Sequence, residues 1–220
     1  SEIGPYPYAH CTAVEGALSA GAGMEYPMIT IIGEAADRES LDRVLAHEIG
    51  HNWWYGILAS NERKSAWIDE GLTSLYEELY MKTFYGTEKL TLDRYWREEN
   101  WALEDALCSH QYRMKKWQHP ALSSEQFEPL NYYLVNYHWA PKAFQHLRNA
   151  VGPARFRAAI QSFYREEAFS HIDGEGLQTF FEEAWDVDLD WLFESSIQQG
   201  KFPEYGLTSV QQSADRVKLL

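Results

Sequence analysis

The stretch Leu41-Asp42-Arg43-Val44-Leu45-Ala46-His47-Glu48-Ile49-Gly50-His51-Asn52-Trp53-Trp54 decides how the rest of the chain is read. Leu41, Val44, Leu45, Ile49 and Trp53 recur at three-to-four spacing, which predicts a helix over about 40–57 with Ser40 able to cap it. Inside that helix lies His-Glu-x-x-His. Two imidazoles four positions apart differ by about 40° in rotation and roughly 6 Å along the axis. They therefore share a face and can hold one zinc ion at about 2.0–2.1 Å. Glu48 projects from the same side but cannot reach that metal as a third ligand. It is left to meet the fourth, water-filled position, where a general base belongs.

A catalytic zinc needs a third protein ligand and an open position. Separated from His51 by eighteen residues stands Glu70, in Ala66-Trp67-Ile68-Asp69-Glu70-Gly71 at the start of a second helix read over about 68–84 and ending before Gly86. Two antiparallel helices joined by the loop 60–65 bring its carboxylate against the imidazoles. Glu77 and Glu78 on the same helix are rivals, read as solvated charges or as partners of the ligands. Asp69 has two readings that stay open: orienting a zinc-bound histidine, or capping the helix.

Upstream, Gly21-Ala22-Gly23-Met24-Glu25-Tyr26 reads as a glycine-rich strand. Such an edge lets a peptide backbone approach closely, and a carboxylate on it can pair with an ammonium group. Strands are expected near 9–15 and 24–32, with Pro27 making the second an edge strand or one with an unpaired stretch. Further helices are expected over 88–107, 138–150, 153–168, 174–185 and 189–199, with Gly152-Pro153 as stop-and-start punctuation. Residues 109–135 lack periodicity and read as a long loop. Pro141 fits a first helical turn, which puts Tyr137 at or just before a helix start. His138 reads as a structural histidine.

The chain has 220 residues, 45% of them hydrophobic, with nine Trp and fourteen Tyr, enough to bury a sizeable core. A net charge of −14 argues against nucleic acid and anionic membranes as partners. No apolar run is long enough to span a bilayer. Cys11 and Cys108 form no C-x-x-C pattern, so one disulfide and two unpaired thiols both remain open, and the compartment is unassigned. Ser1 leads straight into strand-like sequence, as expected of a portion of a longer protein.

The spacing of His47, Glu48, His51 and Glu70 resembles that of the gluzincin zinc aminopeptidases, the family of aminopeptidase N and leukotriene hydrolase. The segments His51-Asn52-Trp53-Trp54-Tyr55-Gly56 and Trp67-Ile68-Asp69-Glu70-Gly71 are similar to its zinc-site segments. Tyr137 to Gly152 resembles the helix carrying its catalytic tyrosine, and Leu189 to Tyr205 is similar to its closing helix. The resemblance implies a mainly α (α+β) thermolysin-like zinc peptidase catalytic domain: a helical bundle with a small N-terminal β-sheet edge. It further implies one Zn2+ per chain and peptide substrates with a free N-terminus, as well as flanking domains absent from this sequence. In such a family Tyr137 donates to the oxyanion, and Glu25 binds the substrate α-amino group on a strand reading Gly-x-Met-Glu-Asn. Ala22 stands here in the glycine place and Tyr26 in that of Asn, with Gly23 and Met24 completing the strand. The expected division is 1–38 as the substrate-binding edge, 39–205 as the helical core and 206–220 as a tail. The reading is a zinc metallopeptidase that removes N-terminal residues. A thermolysin-like endopeptidase and an inactive zinc-binding scaffold are its alternatives.

Overall fold

A computed structural model describes residues 2–18, 23–86 and 103–202, together with the backbone of 210–213 and 216–219. Ala22 and the part of the expected 88–107 helix up to residue 102 lie outside the described residues. Most of the chain is helical. A three-stranded sheet of β1 (Thr12–Glu15), β2 (Gly23–Met24) and β3 (Ile29–Ile32) has the order β1-β3-β2, with β3 parallel to β1 and antiparallel to β2. The strand expected over 24–32 is thus two strands. Tyr26-Pro27-Met28 turns between them, with Met28 at φ 67° and its N–H donated to Asn52 Oδ1 at 3.0 Å. Proline presets such a turn and removes a ladder donor, so it breaks the run, and β3 becomes the central strand.

Helix α1 (Arg38–Trp54) starts at Asp37, whose Oδ1 accepts from Ser40 N at 2.7 Å. Asp37, in extended geometry three residues earlier, is the cap, and Ser40 sits inside the first turn. Two-residue strands β4 (Ala59–Ser60) and β5 (His171–Ile172) pair in parallel. Helix α2 (Glu62–Tyr85) opens with Asn61 capping Lys64 N, kinks at non-helical Ser65, and ends at Gly86 with φ 75°. Most of the expected 60–65 loop is therefore an irregular first turn, and Asp69 lies well inside the helix, away from its cap.

The region read as a long loop over 109–135 is largely helical. It contains most of α3 (Leu103–Arg113), a 3₁₀ turn at Ser124–Gln126 and α4 (Pro129–Tyr133). These pieces are too short and too exposed to show an apolar period. From Leu134 to Trp139 the helix widens to π geometry and then continues as α5 (Ala140–Val151). Pro141 lacks an N–H, and inside a regular helix its ring would strike the carbonyl of Tyr137; the wide turns, in which Ala140 N reaches Val135 O, make room for it. Tyr137 thus sits within a continuous helical run, whereas the sequence puts it at or just before a helix start.

Gly152 (φ 91°) ends α5, and Pro153 opens α6 (Pro153–Glu167). Helix α7 (Gly174–Trp185) is capped by Asp173, and Trp191–Gln198 has π geometry. Strands β6 (Val210–Ser213) and β7 (Arg216–Leu219) form an antiparallel pair in the expected tail. The core joins Trp67 and Phe144 to Phe156, Phe181 and Trp185, the last two stacked at 4.5 Å. Both cysteines are free thiols; Cys11 is exposed and Cys108 buried.

Two contacts hold the Tyr137 segment in place. A Cβ at Gly71 would lie 2.7 Å from Ala140 Cβ, so glycine lets α2 and α5 meet closely. Gly71→Ala is expected to cost about 1–3 kcal/mol, read from denaturant unfolding. On the other side, Asp105 of α3 accepts from His138 at 2.8 Å and bonds Lys142, and these partners hold its carboxyl at about 2. A carboxyl lowered from 3.8 adds stability that is present above 3.8 and lost as pH falls through about 2. Asp105→Asn is expected to cost a few tenths to about 1 kcal/mol at pH 7, limited by solvent screening, with the difference vanishing near pH 2.

Candidate metal centre

α1 presents His47, Glu48 and His51 toward α2. His47 Nε2 and His51 Nε2 lie 3.1 Å apart, and Glu70 Oε2 is 3.2 Å from the first and 3.4 Å from the second. The ring atoms facing away are engaged: His51 Nδ1 with Asp69 Oδ1 at 2.7 Å, His47 Nδ1 with Glu77 Oε2 at 3.1 Å. Thr73 Oγ1 also lies 3.3 Å from His51 Nδ1, and Arg43 bonds the other oxygen of Glu77. His51 and Asp69 are only 1% and 2% exposed, so water does not compete for this pairing.

These contacts give a direct test of fit to a cation. In the neutral tautomer that donates Nδ1–H to the carboxylate behind each ring, both Nε2 atoms carry lone pairs, and these point at each other and at an anionic oxygen. Three such bases in contact repel one another unless a proton or a metal lies among them. Ligand atoms about 2.0–2.1 Å from a tetrahedral zinc stand about 3.3 Å apart, the spacing seen here. His47, His51 and Glu70 fit a zinc ion.

The ionisation of the protein groups follows from the same packing. Burial pulls His47 down, yet Glu70 and Glu77 outweigh it and hold the imidazole at about 9. His51 is likewise raised against burial, chiefly by Asp69. Burial raises Glu70, but the two imidazoles bring it well below the usual carboxylate range. Asp69 is raised by burial to about 6, with His51 opposing.

Glu48 is 5% exposed, its Oε2 has no partner, and burial pushes it up to about 7. Gly23 packs directly on it: a Cβ there would fall 2.3 Å from Glu48 Cδ, so a larger residue at this position would push the carboxylate aside. Thr30 Oγ1 donates to Met24 O at 2.9 Å and fastens β2 to β3. Met24 is exposed, and Glu25 follows it, with carboxylate oxygens of Glu25, Glu62 and Asp69 within 4.8 Å of one another. On the far side, Tyr137 O–H donates to Glu70 Oε1 at 2.5 Å. Burial, then Glu70, hold that phenol far above its ordinary value.

The structure therefore brings His47, Glu48, His51, Asp69, Glu70 and Tyr137 together, with Gly23 against Glu48 and Glu25 near Asp69. Sequence reading underrated Glu77 and missed Glu62 and Thr73. Glu77 lies seven residues beyond Glu70, two helical turns along the same face, and that spacing was the available signal. Glu62 was hidden in an apparent loop.

The Peptidase family M1 domain matches residues 5–196. Leucine aminopeptidase 2 of Emericella nidulans is 27% identical over 165 residues, covering 72% of this chain and 25% of that protein. Leukotriene A-4 hydrolase of Xenopus laevis is 36% identical over 69 residues, 30% of this chain and 11% of that protein. The M1 zinc metallopeptidase of Deinococcus radiodurans superposes with a TM-score of 0.65 at 16% identity, covering 91% of this chain and 42% of that one. This chain thus spans well under half the length of these relatives. With the domain matched over nearly its whole length, the chain belongs to peptidase family M1.

Proposed function

We propose that this chain carries the catalytic centre of a zinc aminopeptidase, in which His47, His51 and Glu70 hold one Zn2+ and Glu48 is the general base. The observation that carries the reading is the buried, unpartnered Oε2 of Glu48 beside a cluster of three metal-ligating atoms. A buried carboxylate oxygen without a partner costs stability and is retained where a reactant supplies the missing proton. Zinc bound at this trio would polarise a substrate carbonyl and acidify water.

The protein groups divide the remaining work. Glu48, poised at about 7, takes a proton from the attacking water at Oε2 and returns it to the leaving amine. The Tyr137 hydroxyl, kept protonated by its surroundings, donates to the carbonyl oxygen as negative charge builds there; one such donor is worth about 10²–10³-fold. Asp69 and Glu77 fix the tautomers of the two imidazoles. Gly23 and Met24 form the edge along which the peptide lies, and Glu25 pairs with its α-ammonium. The fungal relative's name, leucine aminopeptidase, supports removal of single N-terminal residues over internal cleavage.

The test compares a panel of peptides with free and acetylated N-termini. Free peptides are expected to lose their first residue, acetylated ones to be spared, and Glu48→Gln to cut turnover by about 10²–10⁴-fold with zinc retained. Equal cleavage of acetylated peptides would remove the amino-terminal part of the reading, and an active Glu48→Gln enzyme would remove the base.

A further inference from the structure

The two oxygens of Glu70 have different partners. Oε2 faces both Nε2 atoms at 3.2 and 3.4 Å, whereas Oε1 accepts the Tyr137 hydroxyl at 2.5 Å. We propose that Tyr137 positions Glu70 as a one-oxygen ligand, holding Oε1 aside so that Oε2 alone is offered to the metal. This inference rests on the reading of His47, His51 and Glu70 as the zinc site.

The consequence concerns the open position. A carboxylate is free to chelate a cation with both oxygens, and a catalytic zinc with three protein ligands keeps its fourth position for water or substrate. Chelation by Glu70 would crowd that position, and a hydrogen bond to Oε1 prevents it without occupying the metal side of the site. Ligand carboxylates that are themselves hydrogen-bonded follow the same general logic.

The donor is held from several directions, which makes the bond a built feature. The Tyr137 ring lies 5.8 Å from that of His47, Tyr133 stacks on it at 6.1 Å and 19°, and Tyr132 adds a tilted contact at 6.1 Å. Its backbone belongs to the wide turns that accommodate Pro141, and the adjoining first turn of α5 seats Ala140 against Gly71, the residue after the ligand. The same contact that lets the helices meet thus sets the distance between donor and acceptor.

A phenol has a single proton to donate. The bond to Glu70 and the bond to a reacting carbonyl oxygen are therefore alternatives, and Tyr137 serves them in turn: Glu70 at rest, substrate during hydrolysis.

The experiment uses the full chain loaded with Co(II) alone, without substrate, in three forms: unaltered, Tyr137→Phe and Tyr133→Phe. Visible absorption of the cobalt forms is read beside X-ray absorption of the corresponding zinc forms. Tyr137→Phe keeps the ring and its stacking but not the donor. It is expected to gain about one metal–oxygen neighbour, as four-coordinate zinc sites do on expanding, and its cobalt bands to lose intensity. Tyr133→Phe, which alters a stacking neighbour, is expected to match the unaltered chain. A Tyr137→Phe form with unchanged bands and neighbour count overturns the inference alone. Failure of the unaltered chain to take up stoichiometric metal overturns the site reading and the inference with it.

Discussion

Three Lewis bases held in mutual contact organise this protein. His47 Nε2, His51 Nε2 and Glu70 Oε2 stand within 3.4 Å of one another, and each imidazole is locked in that orientation by a carboxylate behind it. Taking Glu48, Asp69, Glu70 and Glu77 out of water is costly, and the cost is offset only by close partners. Here the partners are two imidazoles and Arg43, so the site is short of positive charge. A divalent cation among the three bases takes the place of the protons that the raised imidazoles otherwise hold there. The packing of α1 on α2 and the placement of both carboxylates one ring away all serve that requirement.

The rest of the fold supplies what the bases lack. β2, fastened to β3 through Thr30 and packed on Glu48 at Gly23, closes over that carboxylate and raises its proton affinity. The wide turns around Tyr137 bring a hydroxyl to the opposite side. A glycine stands at each close approach, Gly23 against the Glu48 side chain and Gly71 against Ala140. A helix pair alone would position ligands; the strand and the π turns surround them with a base and a donor.

Much of this was legible in the sequence, for reasons that differ by residue. The four-residue spacing of His47 and His51 is a local property of a helix, so their shared face followed from the chain itself. The boundary between α5 and α6 was announced by Gly152-Pro153. Where two nearby residues could do one job, sequence could not choose: Asp37 caps α1, though Ser40 was equally suited by type. The π turns depend on how a helix resolves the clash of Pro141 with Tyr137, and that outcome is tertiary. Glu77 was visible only as one more acidic residue on α2, because its meaning depends on which side of His47 that helix passes. Asp69 had two readings from sequence, and its position inside α2, 2.7 Å from His51, removes the cap.

The chemistry of the site turns on whether the three bases hold a metal, and metal content measures that most directly. After dialysis against metal-free buffer, the purified chain is expected to retain about one zinc by elemental mass spectrometry, and His51→Ala to retain almost none while staying folded. A folded chain with zinc at background level, or a His51→Ala chain that keeps its full complement, would contradict the account.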